Sequence, residues 1–150
     1  MLVRAPKRLP LSEIERFITS KSNWIHKHLN DMRPTPSPME PQEEKRLRET
    51  AARQLPGLVE HFSGRMGVCP ANVRITSAKK RLGSCNTKGS ICFSFRLMAF
   101  PGEAIDYVVV HELAHLVHLN HSSDFYKVIA REMPDFRDRM KLLKQFTPGC

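Results

Sequence analysis

Apolar side chains recur along the chain with two periods. Ile14, Phe17, Ile18, Trp24, Ile25 and Leu29 stand at helical spacing through residues 11–30 and predict an amphipathic helix, with Trp24 as a packing anchor. Ser12 and Glu15 at its start read as a capping box, the serine oxygen capping and the glutamate reaching back. Ahead of it, LVRAP reads as a short extended segment. The helical period resumes in residues 43–67 through Leu47, Ala51, Leu55, Leu58, Val59, Phe62 and Met66. Pro56 predicts a kink or a restart partway along, and Gly67 a left-handed close. Between the two helices, RPTPSPMEPQ has four prolines in ten residues, which removes backbone donors and favours an extended linker.

The period then falls to two. NVRITSA at 72–78 and ICFSFRLM at 91–98 alternate as strands, the second placing Ile91, Phe93, Phe95 and Leu97 on one face. KKRLGSCNTKGS between them supplies turn residues, with Gly83, Ser84 and Cys85 read as a tight turn or the rim of a cleft. Residues 101–120 predict a helix opened by Pro101 and ended by Asn120, which tolerates the left-handed cap. Ser122 and Ser123 can cap SDFYKVIAREM, and Pro134 separates it from DFRDRMKLLK. The order of elements predicts an α+β fold in which a small antiparallel sheet packs on the 101–120 helix, with further helices at both ends. Residues 1–150 read as one domain, with a strand and helix at 1–32, a proline-rich linker at 33–42 and a core at 43–150.

Chemistry concentrates in HELAHLVHLNH at the end of that apolar helix. His111 and His115 are four apart, so their imidazoles project from one face, one turn above the other, and can reach one ion. Glu112 is rotated by one residue, poorly placed to ligate and well placed to take a proton from water at an open position. The other face, with Ile105, Val108, Val109, Val110, Leu113, Leu116 and Val117, predicts burial, and unpartnered polar groups there would cost roughly 1–3 kcal/mol each. Zinc relieves that cost. A catalytic zinc takes a third protein ligand, for which His118 and His121 compete. On a continuous helix His118 lies about 10.5 Å from His111, which strings the three along a line, whereas His121 follows Asn120, where the chain can reverse. Geometry therefore favours His111, His115 and His121, with His118 at the pocket edge. Cys85 as a nucleophile and Tyr126 as an oxyanion donor are weaker readings than a rim thiol and a packing ring.

Composition changes this picture little. Lysine and arginine number 24 against 15 acids, a formal charge of +9, which suits a solvated surface and leaves room for a nucleotide or nucleic-acid partner. Cys69, Cys85, Cys92 and Cys150 form no CxxC pair, and MLVRAPKRLP has no apolar signal core, so reduced thiols in a cytoplasm are expected. No apolar run approaches the ~20 residues of a membrane span.

HELAHLVHLNHSSDFY, preceded by RLGSCNTKGSICFSFRL and IDYVVV, resembles the YgjP-like zinc metallopeptidase family, relatives of the SprT-like proteases in the zincin-like class. The resemblance is strongest over residues 72–144. It implies a zincin-like fold, His111, His115 and His121 as zinc ligands, and Glu112 as general base. Leu82 and Ser94 stand where the family usually has tryptophan and asparagine, and the strands expected ahead of Leu2 suggest a shortened N-terminus. By the same resemblance, the strand ICFSFRL would offer an edge to an extended peptide substrate. Peptide hydrolysis is thus the expected activity. UTP pyrophosphohydrolysis, assigned to some members of the family, is an alternative that the lack of a GxxxxGK[ST] loop and of clustered acidic ligands disfavours. The SprT-like kinship adds a third, a protease acting on DNA-associated proteins. The HExxHxxHxxH spacing matches the metzincins, but His118 replaces their glycine and no Met-turn follows.

Overall fold

A computed structural model describes residues 10–22 and 39–146 of the chain. The chain divides into two compact units, Met1–Pro38 and Met39–Pro148, so the division falls inside the proline-rich stretch.

In the first unit, helix α1 spans Leu11–Ser20. Its N-cap is Pro10, whose carbonyl accepts from the amides of Glu13 and Ile14 at 3.1 and 3.3 Å. The expected capping box is not formed, because Ser12 already lies inside the helix and no side chain caps it. Trp24, Ile25 and Leu29, with LVRAP, lie outside the described residues.

The second unit opens with helix α2, Pro41–Met66, whose first two residues belong to the stretch read as linker. Proline at the first helical position suits it, since the missing N–H would have had no partner there. Leu47, Ala51, Leu55, Val59 and Phe62 form its buried stripe. Pro56 sits on the exposed side, and the helix runs through it without a restart. Gly67 closes it at φ 66°, as its sequence position predicts.

Three short strands follow: β1 (Asn72–Thr76), β2 (Gly83–Cys85) and β3 (Ser90–Ser94). The sheet order is β1-β3-β2, and the sheet is mixed, not wholly antiparallel: β3 runs parallel to β1 and antiparallel to β2. β2 emerges from the segment read as turn, and the hairpin to β3 is held by the Asn86 side chain, which accepts from the amides of Lys88 and Ser90 at 3.0 Å. Gly89 completes that turn at φ 73°. β3 is consequently the middle strand, both of its edges paired, and cannot offer an edge to a peptide as ICFSFRL was expected to do. It also ends early. Ser94 caps a 3-10 helix over Phe95–Ala99, its hydroxyl accepting from the Arg96 amide. Ile91, Phe93, Phe95 and Leu97 are all fully buried regardless, so the predicted inward set is right although two of its members are not in a strand.

Helix α3 (Gly102–Ala114) packs against α2, against β2, and against the last two helices, α4 (Ser123–Glu132) and α5 (Phe136–Phe146). Nine of its thirteen residues are buried, which explains the nearly unbroken apolar run in its sequence. It stops well before Asn120. Leu116 and Val117 bond three residues back, to Leu113 and Ala114, each at 3.0 Å, so the last turn tightens. Val117 and Leu119, beyond it, are 48% and 59% exposed.

Candidate metal centre

Two helices bring the site together. α3 carries His111 and Glu112 in its last turn, its C-cap is His115, and His121 sits immediately before Ser122, the N-cap of α4. The Ser122 hydroxyl accepts from the Phe125 amide at 3.4 Å, which fixes where α4 begins and so where His121 stands. His111, His115 and His121 each offer a ring nitrogen, and these nitrogens lie within 4.8 Å of one another. Ring centroids are 4.9, 5.0 and 4.8 Å apart, close to an equilateral triangle. His118 is not among the three. With the helix already ended, it joins the site through its backbone: its carbonyl lies 3.0 Å from His115 Nδ1.

That contact decides a tautomer. A carbonyl only accepts, so His115 carries its hydrogen on Nδ1 and turns the Nε2 lone pair towards the other two rings. Between His111 and His121 the Nε2 atoms approach to 3.1 Å. Two nitrogens bound to one tetrahedral zinc at about 2.0–2.1 Å stand roughly 3.3–3.4 Å apart, so this pair is spaced as ligands of a single ion. His111 Nδ1 is buried without a hydrogen-bond partner. The residues present therefore fit zinc: three neutral imidazoles, borderline in softness, with no fourth side chain joining them among the described residues.

Electrostatics favour the same state. Burial, then the neighbouring His115 and His121, push His111 down to about 4, and burial likewise lowers His115. Both rings are therefore neutral, with lone pairs free, at ordinary pH. Burial alone pushes Glu112 up to about 7. A carboxyl poised there can both take and return a proton. Glu112 is only 6% exposed, yet His121 is exposed, so the site is walled on the α3 side and open on the other.

Phe125 is the residue that sequence reasoning undervalued. Fully buried, its ring lies 5.0, 4.6 and 4.9 Å from those of His111, His115 and His121, forming a floor common to all three. In the sequence it stands only as one apolar residue of DFYKVIAREM; its place beside His121 comes with the Ser122 cap, to whose hydroxyl its amide donates. Tyr126 stacks on Phe136 at 6.0 Å and tilts against His121 at 6.4 Å, in keeping with a packing ring. Cys85 is half-buried, and burial together with the Glu112 charge raises its thiol, which disfavours a nucleophilic thiolate. Cys69 and Cys92 are also free.

A family model described as YgjP-like, metallopeptidase domain, matches residues 1–47 and 38–146. Among solved structures, the metallopeptidase zymogen of Pyrococcus abyssi abylysin superposes with a TM-score of 0.56 at 24% identity, covering 61% of this chain and 93% of that one. At that identity the likeness is one of fold. No curated protein matches the chain.

Proposed function

Since the chain belongs to the YgjP-like metallopeptidase family, we propose that it hydrolyses peptide bonds at a zinc ion held by His111, His115 and His121, with Glu112 as general base. One observation carries this reading: three ligand-capable histidine nitrogens within 4.8 Å, with a buried carboxylic acid at the next position in the chain. When bound, zinc supplies polarisation of the scissile carbonyl and a water whose pKa falls towards 7.

The protein's own groups do the rest. The His118 carbonyl holds His115 in the ligating tautomer. Glu112 takes a proton at a carboxylate oxygen during attack and returns it to the leaving amine. Its burial raises its proton affinity, to a pKa of about 7, so the carboxylate takes the proton readily and can give it up again near neutral pH. β2 is an edge strand paired only with β3 among the described residues, and Gly83 within it lies against Glu112. An extended peptide pairing with that edge would pass the carboxylate, drawing affinity from backbone hydrogen bonds with little sequence demand.

Among the described residues no helix is long and apolar enough to cross a membrane. The test sets unfolded casein against UTP, each incubated with zinc-loaded wild type and with Glu112→Gln. Casein cleavage that disappears in the variant supports the reading. UTP hydrolysis with intact casein overturns it in favour of a pyrophosphohydrolase.

A further inference from the structure

Gly83 is not needed for its backbone conformation. The glycines at positive φ among the described residues are Gly67 and Gly89, so an alanine at 83 meets no torsional penalty. It meets a side chain instead. A Cβ at this position would fall 2.5 Å from Glu112 Oε1, 2.7 Å from its Cγ and 2.8 Å from its Cδ. Carbon atoms in favourable contact stand about 3.5–4.0 Å apart, so something must shift.

Gly83 cannot be what shifts. It pairs in register with Phe93, which is fully buried. One residue earlier, the Leu82 carbonyl accepts from the Ser94 amide at 2.8 Å. Ser94 is itself fully buried, and its hydroxyl donates to the Ala78 carbonyl at 2.7 Å. The β2 backbone is thus held to the middle strand by backbone hydrogen bonds. Glu112 is flanked in turn by His111 and the fully buried Leu113. Any added atom on Gly83 would be relieved by expelling the carboxylate.

We infer that Gly83 is a positioning residue: by withholding a side chain, it seats the Glu112 carboxylate against β2. The inference rests on Glu112 being the base of the proposed reaction. A displacement near 1 Å of a reacting group costs on the order of 100-fold, so the seat matters to turnover.

The experiment is a cycle of wild type, Gly83→Ala, Glu112→Ala and the double variant, each as the full chain with zinc. Thermal midpoints, zinc content and casein kinetics are measured. Gly83→Ala is expected to lower kcat by about 10- to 100-fold with KM within about twofold and one zinc retained, the split that marks a group acting in the transition state. It is expected to lower the thermal midpoint in the wild-type background and to leave it unchanged in the Glu112→Ala background, where the crowded carboxylate is gone. Should Gly83→Ala not fold, the double variant is expected to fold. Wild-type kcat in Gly83→Ala, or the same loss of midpoint in both backgrounds, overturns the inference. If wild type cleaves no peptide, the peptidase reading fails by itself, and the unfolding cycle still decides whether Gly83 seats Glu112.

Discussion

Glu112 and His111 are neighbours whose burial acts in opposite senses. Glu112 is raised from 4.5 to about 7, and His111 is lowered from 6.5 to about 4. In the metal-free protein, Glu112 takes up its proton in the folded state before the unfolded chain does, so its contribution favours folding below 4.5 and is lost as pH rises through 7. For His111 the unfolded chain binds the proton first, so stability is full above 6.5 and is lost as pH falls through 4. Between 4.5 and 6.5 the two offset each other. Metal-free Glu112→Gln should therefore lose stability relative to wild type as pH falls from 7 to 4.5, measured by urea unfolding at each pH. A constant difference across that window would mean that Glu112 is not held protonated by burial. In the zinc-loaded enzyme the same Glu112→Gln change should lower kcat by about 10²-fold or more while one zinc remains bound, checked by turnover and elemental analysis.

The elements divide into those legible in the sequence and those fixed by partners distant along the chain. α2 was legible through its apolar stripe, and its end through Gly67. α4 was legible through Ser122. The pairing of His111 with His115, and the choice of His121 over His118, followed from helical spacing and a chain reversal, and the structure brings those three nitrogens together. What was not legible depends on tertiary pairing. β2 has only three residues, and nothing in GSC alone announces a strand without β3 alongside it. The parallel pairing of β1 and β3 requires β2 to pass to the far side, which alternation cannot reveal. The early end of α3 reflects i→i−3 bonds and the reach of His115 to a carbonyl, where apolar content alone predicted continuation. Two predictions belong to this scale. Pro56 lies exposed inside α2, where proline is about 3 kcal/mol worse than alanine, partly offset by the freedom alanine restores to the unfolded chain. Pro56→Ala should raise the thermal midpoint, and a fall would mean that the proline shapes a bend the core needs. Ser122→Ala should cost about 1 kcal/mol as a lost cap and should weaken zinc binding several-fold, because His121 is positioned by that cap; metal titration with a competing chelator checks it.

At the scale of the molecule, α3 ties the sheet to α2, α4 and α5 within the second unit, and the candidate metal centre lies where it meets α4. An ion there joins the end of one helix to the start of the next, so it should stabilise the fold as well as serve chemistry. Zinc at 100 times its dissociation constant adds about 2.7 kcal/mol to a protein that binds it only when folded. Chelation should therefore lower the thermal midpoint of wild type and leave that of His111→Ala nearly unchanged. The charge of +9 adds a longer-range field that attracts anionic partners, and its contribution should weaken with salt while metal binding does not. The proposed reaction depends on three imidazoles sharing one zinc with a position open to solvent. X-ray absorption spectroscopy of zinc-loaded protein tests this most directly: the account predicts one zinc per chain with three histidine nitrogens and one light oxygen ligand, and a sulfur ligand, a fourth protein side chain or a metal-free chain would contradict it.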